Sequence, residues 1–70
     1  PTFLVHGTND ASVSVINSTR YYEALVKNDV PVEMHIFQDG KHGAGFGKKD
    51  QPWSAWTSLC KAWMLNHVIE

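Results

Sequence analysis

The sequence predicts an α/β fold built on a parallel sheet, because short apolar runs alternate with amphipathic helical segments along the chain. The expected order is strand, helix, strand, loop, helix. Since crossovers within a sheet are right-handed, the two strands are expected to run parallel. A parallel sheet needs cover on both faces, and two strands with two helices cannot provide that cover well. We therefore interpret residues 1–70 as a β-α-β-α portion of one larger domain, whose other layers supply the missing core.

The first half of the chain predicts a strand followed by a helix. Residues 2–6 are a short apolar run closed by Gly7, which is typical of a strand buried on both faces. A loop rich in turn formers follows. Apolar residues then recur with helical spacing after Ser14, the expected N-cap. The helix should stop near residues 28–29, because Pro31 disfavours helical geometry just before it.

The second half predicts a strand, a glycine-rich loop and a closing helix. Residues 32–38 alternate, as in a half-covered strand near a sheet edge. Residues 39–49 contain four glycines, whose backbone can take positive φ angles. A helix is expected from Pro52, because apolar residues recur there at three- and four-residue spacing. This apolar stripe, which we interpret as core packing, comprises Trp53, Trp56, Cys60, Trp63, Met64 and His67.

Composition indicates a globular chain and argues against several classes of partner. Hydrophobic residues make up 43% of the chain, too many for a disordered tail. The net charge is −1, and the basic pair Lys48-Lys49 is too small to follow a phosphate backbone, so no nucleic-acid partner is expected. No apolar stretch reaches the roughly 18 residues that span a bilayer, so no membrane partner is expected. The histidines and Cys60 lack metal-ligand spacing, and no metal is expected.

Two loops carry the residues most suited to catalysis. In parallel α/β sheets, ligands bind at the loops that leave the carboxyl ends of the strands. Asp10 lies on the first such loop, four residues after His6, and His42 lies on the second, four residues after Gln38. A carboxylate and an imidazole at matched heights can meet, and together they can activate a hydroxyl nucleophile. A nucleophilic serine often lies in a Gly-x-Ser-x-Gly turn. The chain has no such motif, so the serine is expected upstream of residue 1.

The other polar candidates have simpler interpretations. Asp39 is nearer His42 in sequence, but we interpret it as a solvated turn residue. His6 is expected to pack or form hydrogen bonds at a strand end. His35 and His67 are interpreted as surface or interfacial side chains.

Three segments resemble the α/β-hydrolase superfamily. The segment carrying Asp10 is similar to the acid-bearing segment of its esterases and peptidases, with the motif His6-Gly7-Thr8-Asn9-Asp10-x-x-Val13 followed by Asn17-Ser18. Residues 32–37 with Gly40-Lys41-His42-Gly43 resemble the histidine-bearing segment, and the tail ending Ala62-Trp63-Met64 resembles the closing helix. The resemblance is greatest to acetyl-xylan-esterase or dienelactone-hydrolase-like carbohydrate esterases, with the prolyl-oligopeptidase catalytic domain a near neighbour. Ser14 departs from the pattern, since proline is common there.

The resemblance implies that residues 1–70 are the C-terminal part of an α/β-hydrolase catalytic domain. Asp10 would be the triad acid and His42 the base of a serine carboxylic-ester hydrolase that deacylates a carbohydrate ester, without a cofactor. The expected partners are that substrate and the remainder of the domain. The fragment alone should be inactive, and pairing with a second copy is another way to cover its apolar surface. Two alternatives stay open: a prolyl-oligopeptidase-type serine peptidase, and a non-catalytic interaction fragment on the same scaffold.

Overall fold

A computed structural model describes residues 1–68, and the last two positions of the predicted 1–70 unit lie outside the described residues. Strand β1 covers Thr2–Gly7 and is followed by helix α1, Val15–Lys27. Strand β2 covers Val32–Phe37, and helix α2 covers Trp56–His67 after a 3₁₀ turn at Pro52–Ala55. The predicted α/β class and element order are confirmed.

The two strands pair in parallel, as predicted, and their first and last residues lie opposite each other. The register runs from Thr2 opposite Val32 to Gly7 opposite Phe37, so both strands end at the same level. The ladder continues one step further, because the Thr8 amide donates to the Phe37 carbonyl at 2.7 Å. The loops that follow β1 and β2 therefore leave from neighbouring points on one edge of the sheet.

Helix α1 begins and ends where the sequence indicates. The Ser14 hydroxyl accepts a hydrogen bond from the Ile16 amide at 3.2 Å, which satisfies one of the free donors of the first turn. At the other end, the Asn28 amide bonds back to the carbonyls of the last turn. Asp29 then takes a positive φ of 58°, a conformation in which Asp is among the better tolerated residues. The chain thereby turns into Pro31 and β2.

The helices cover opposite faces of the strand pair. On one face, the His6 side chain of β1 bonds to Ser18 of α1. On the other, Phe3 packs against Trp63 of α2, with ring centroids 5.6 Å apart, and Phe37 meets Trp53 edge-on. Successive strand side chains point to opposite faces, which explains how β1 contacts both helices.

The closing helix starts with a tighter turn than expected. The helix was expected to begin at Pro52, but residues 52–55 form a 3₁₀ turn in which the Trp56 amide bonds to the Trp53 carbonyl. Side chains three residues apart eclipse in 3₁₀ geometry, so Trp53 and Trp56 leave the backbone on the same side. Both can then reach the same acceptor.

The apolar interior is open. No hydrophobic side chain among residues 1–68 is fully buried, and the apolar stripe of α2 packs only in part, because Met64 is partly exposed. The radius of gyration is 12.6 Å, compared with about 11 Å for a compact chain of this length. Within the described part of the chain, no helix is long and apolar enough to cross a membrane. Two helices thus leave much of the apolar surface in water.

Candidate active site

Asp10 and His42 are brought into contact at the edge of the sheet where both strands end. The Oδ2 atom of Asp10 lies 3.3 Å from Nδ1 of His42. This distance is slightly above the usual N–H···O range of about 2.7–3.2 Å. The two residues selected from the sequence therefore meet, although they are 32 positions apart.

The Asp10 carboxylate is held by the loop that carries it. Its Oδ1 atom accepts hydrogen bonds from the backbone amides of Ser12 and Val13, at 2.9 and 2.8 Å. The Val13 amide is the main reason that the pKa of Asp10 lies below its ordinary value of 3.8. The Ser12 amide and His42 act in the same direction, and partial burial opposes them. Asp10 is therefore an ionised, oriented acceptor at neutral pH.

The ionised carboxylate fixes the tautomer of His42. Asp10 has no hydrogen to donate, so the hydrogen in the contact belongs to Nδ1 of His42. A neutral imidazole protonated at Nδ1 keeps an unprotonated lone pair at Nε2. The His42 side chain is 58% exposed, whereas that of Asp10 is only 8% exposed. The pair therefore combines a sheltered carboxylate with an accessible imidazole.

The loop carrying His42 is fixed by glycine conformations and by two indoles. Gly43, Gly45 and Gly47 have φ values of 75°, 60° and 75°, which a residue with a side chain rarely adopts. The Gly45 carbonyl accepts hydrogen bonds from the Nε1–H groups of both Trp53 and Trp56, each at 2.8 Å. These two hydrogen bonds to one carbonyl oxygen tie the loop to the start of the C-terminal helical segment.

The loops that carry Asp10 and His42 also touch each other directly. The Asn9 side-chain oxygen accepts a hydrogen bond from the Gly40 amide at 2.7 Å. A β-carbon on Gly7 would overlap the backbone of Gly40, and one on Gly40 would overlap the ring of Trp53. The loops are thus packed backbone to backbone immediately before Asp10 and His42.

One further histidine lies against the Asp10 carboxylate, and the sequence did not predict it as a site residue. The Nε2 atom of His6 lies 3.3 Å from Oδ2 of Asp10, and the His6 side chain is 11% exposed. His6 forms hydrogen bonds with the Ser18 hydroxyl and the Val13 carbonyl, which confirms the expectation that it packs or bonds at a strand end. Its four-residue spacing from Asp10 was visible in the sequence, but in a strand followed by a turn this spacing does not by itself predict contact.

The remaining candidates lie outside this contact. His35 bonds to Glu33 at 2.8 Å, and His67 lies exposed beside Trp63. Asp39 is exposed, and its Oδ1 atom lies at the long distance of 3.5 Å from the side-chain Nδ2 atom of Asn9. Among residues 1–68, no group of three or more His, Cys, Asp or Glu side chains is arranged to hold a metal ion.

Solved structures match the chain over nearly its full length. An acetyl ester-xyloside bifunctional hydrolase from Caldicellulosiruptor lactoaceticus is 40% identical, with a TM-score of 0.91, over 99% of this chain and 26% of that one. An α/β-hydrolase enzyme from a Medee basin deep-sea metagenome library is 27% identical, with a TM-score of 0.86, over 94% of this chain and 32% of that one. The fold and its paired loops define an α/β-hydrolase fragment, which confirms the resemblance seen in the sequence. Residues 1–69 match the prolyl oligopeptidase family, and the chain belongs to that family.

A curated relative gives a similar picture. A candidate Xaa-Pro dipeptidyl-peptidase of Bacillus cereus is 35% identical over 68 residues, which are 97% of this chain. The chain spans only 12% of the length of that relative. That relative is thus much longer than 70 residues.

Proposed function

We propose that this chain supplies the acid and the base of a serine hydrolase, with Asp10 as the acid and His42 as the base. The observation that carries the proposal is the contact between Oδ2 of Asp10 and Nδ1 of the exposed His42 imidazole. In the neutral ring, a hydrogen on Nδ1 leaves the lone pair of Nε2 free. Membership of the prolyl oligopeptidase family supports it independently. The nucleophilic serine would come from outside these residues.

The proposed reaction moves one proton through His42 in each of its two halves, acylation and deacylation. As the serine oxygen forms a bond to the substrate carbonyl carbon, Nε2 of His42 takes the hydroxyl proton. That proton then passes to the leaving group as its bond to the carbonyl carbon breaks, giving an acyl-enzyme. Water attacks the acyl-enzyme in the same way and restores the serine. Asp10 stays ionised throughout and stabilises the imidazolium.

We further propose that residues 1–70 form part of a single hydrolase domain, at its C-terminal end. The solved relatives are roughly three to four times longer than the part that this chain matches. The absence of fully buried hydrophobic side chains among residues 1–68 also fits a unit that is covered by further layers. The remainder of the domain would provide the serine and the oxyanion donors, which often contribute the largest part of catalysis.

For the substrate, we propose an acyl ester of a carbohydrate. The support is the likeness to the acetyl ester-xyloside bifunctional hydrolase, at 40% identity. A second candidate is peptide cleavage after proline, supported by the family and by the Bacillus cereus relative. Both reactions need the same acid and base, so the substrate is decided by parts of the domain that carry the binding loops.

The test uses the protein encoded by the complete gene. Wild type and the variants His42→Ala and Asp10→Asn are assayed on p-nitrophenyl acetate, on an acetylated xylo-oligosaccharide and on a Xaa-Pro p-nitroanilide. Either substitution should lower kcat at least about 10⁴-fold on whichever substrate is cleaved. His67→Ala, at an exposed histidine of α2, is the matched control and should retain activity.

Each outcome separates the candidates. Cleavage of the acetylated sugar supports the esterase, and cleavage of the Xaa-Pro substrate alone supports the peptidase. Wild-type activity in His42→Ala would reject the assignment of the base. No cleavage by wild-type protein of any of the three substrates would instead favour a non-catalytic interaction module.

A further inference from the structure

We propose that His6 is a positioning residue for the reaction above, holding the second oxygen of Asp10 so that it faces His42. The inference rests on the proposed function and concerns a residue that does not itself meet the substrate. It is based on three contacts of one imidazole, to Asp10, to the Val13 carbonyl and to Ser18. Each contact restricts what the others can do.

The hydrogen-bond partners fix which nitrogen of His6 carries a hydrogen. Its Nε2 atom lies 2.9 Å from the carbonyl oxygen of Val13, which can only accept. Nε2 must therefore be protonated for this bond to form. The same nitrogen lies 3.3 Å from Oδ2 of Asp10, so the N–H group that bonds to Val13 also attracts the carboxylate. His6 thus presents a donor, and never a bare lone pair, to the carboxylate.

The opposite side of the ring is anchored to α1. The Nδ1 atom of His6 lies 2.6 Å from the Ser18 hydroxyl, which can donate to a neutral ring or accept from a protonated one. The ring is therefore held at both nitrogens whatever its charge. With an exposed fraction of 11%, compared with 58% for His42, it has neither the free nitrogen nor the access needed to act as the base.

Asp10 needs a second anchor because its first one holds only one oxygen. The amides of Ser12 and Val13 bind Oδ1, but a carboxylate can still pivot about that point, since its last torsion is broad. His6 holds Oδ2 from the protein side, which leaves the solvent side of the same atom for His42. Small errors in the orientation of a catalytic group can lower the rate about 100-fold.

Two substitutions separate the donor from the bulk of the ring. In His6→Gln, the side-chain Nε2 can still donate to Val13 and Asp10. In His6→Asn, the shorter amide can reach towards Ser18 but leaves Oδ2 of Asp10 without the nearby N–H group. His67→Asn is the matched control at an exposed histidine. All are made in the complete protein, beside His42→Ala and Asp10→Asn, and turnover is expressed per serine site titrated with a fluorophosphonate.

His6→Asn should lower kcat per titrated site about 10- to 100-fold and leave KM nearly unchanged. This is the usual effect of removing a residue that orients another functional side chain. His6→Gln should restore most of that loss. The double variant carrying His6→Asn and Asp10→Asn should be no slower than Asp10→Asn alone, because His6 acts through Asp10. A residue with a purely structural role would reduce the number of titratable sites and leave turnover per site unchanged.

Three results would overturn the inference: wild-type turnover per site in His6→Asn, an equal loss in His6→Asn and His6→Gln, or a further loss added to that of Asp10→Asn. If His6→Asn yields no titratable sites, His6→Gln decides alone, and a loss above about 100-fold in that variant overturns the proposal. The result for His42→Ala separates a failure of the proposed function from a failure of the role proposed for His6. Activity retained in His42→Ala rejects the proposed function, whereas its loss beside a normal His6→Asn rejects only the role of His6.

Discussion

Gly7 and Gly40 meet backbone to backbone where the loops leave the two strands. A β-carbon on Gly7 would overlap the carbonyl group of Gly40, and one on Gly40 would overlap the ring of Trp53. The contact is bridged on one side by Asn9, which accepts from the Gly40 amide. The distance between Asp10 and His42 therefore depends on two positions that have no side chain at all.

The first prediction concerns these glycines. Gly7→Ala and Gly40→Ala should each lower the free energy of unfolding by about 1–3 kcal/mol, because backbone or a packed ring must move to make room. Urea denaturation of the complete protein measures the change. Gly43→Ala is the control: nothing lies near the added carbon, and its cost should be limited to the strain of a φ of 75°, about 1 kcal/mol. A smaller effect at Gly7 than at Gly43 would contradict the packing described.

The second prediction follows from the lowered pKa of Asp10. Between the folded pKa and the ordinary value of 3.8, the unfolded state binds more protons, so the free energy of unfolding rises with pH there. The contribution of the ionised carboxylate is complete above 3.8 and is lost as the pH falls through the folded pKa. Asp10→Asn lacks this contribution, so its stability difference from wild type should shrink on acidification. Urea midpoints from about pH 2.5 to 6 measure this.

The matched control for the acid titration is Glu23→Gln, at an exposed carboxylate that pairs with Lys27 on α1. Exposed pairs of this kind contribute little, so its curve should run parallel to that of wild type. A stability difference for Asp10→Asn that stays constant on acidification would contradict the hydrogen bonds assigned to Asp10.

A third prediction concerns the carbonyl of Gly45. Trp56→Phe keeps an aromatic ring to stack on Phe46, whose ring lies parallel with centroids 6.0 Å apart, but it removes one of the two donors to that carbonyl. The cost should be about 1 kcal/mol of stability, the net value of one hydrogen bond. Thermal unfolding gives the measurement. Unchanged stability would mean that the bond from Trp53 alone is sufficient to hold the loop.

A fourth prediction concerns the start of α1. Ser14→Ala removes the cap to the Ile16 amide and should cost about 1 kcal/mol. Ser14→Pro loses the same cap, but the φ of −60° at this position suits proline, which lowers the entropy of the unfolded chain. The proline variant should therefore be the more stable of the two. The reverse order, measured by urea denaturation, would contradict the assigned cap geometry.

The isolated chain provides a fifth prediction. Tyr22 and Val26 lie one turn apart on α1 and are exposed, and no hydrophobic side chain among residues 1–68 is fully buried. We expect the 70-residue chain by itself to associate as its concentration rises, and Val26→Lys to weaken that association. Sedimentation velocity over a concentration series tests this. A strictly monomeric chain would count against it.

The order of elements, the start of α1 at Ser14 and the parallel pairing could be predicted because each follows from local rules: periodicity, capping and crossover handedness. The approach of Asp10 to His42 could also be predicted, since both follow parallel strands that end at one edge. The 3₁₀ turn at residues 52–55 could not, because it depends on two indoles sharing the Gly45 carbonyl.

By itself, the sequence determined the α/β class and the element boundaries to within a few residues, because these depend on the period of the side chains. It also determined that Asp10 and His42 lie close together, because that depends on the order of the strands and loops. Only the tertiary structure decided that His6 lies 3.3 Å from Oδ2 of Asp10. That contact joins a strand end, a turn and a helix, and its distances depend on how the loop bends back onto α1. Such bends are set by backbone hydrogen bonds and close packing between distant residues, which leave no periodic pattern in a sequence.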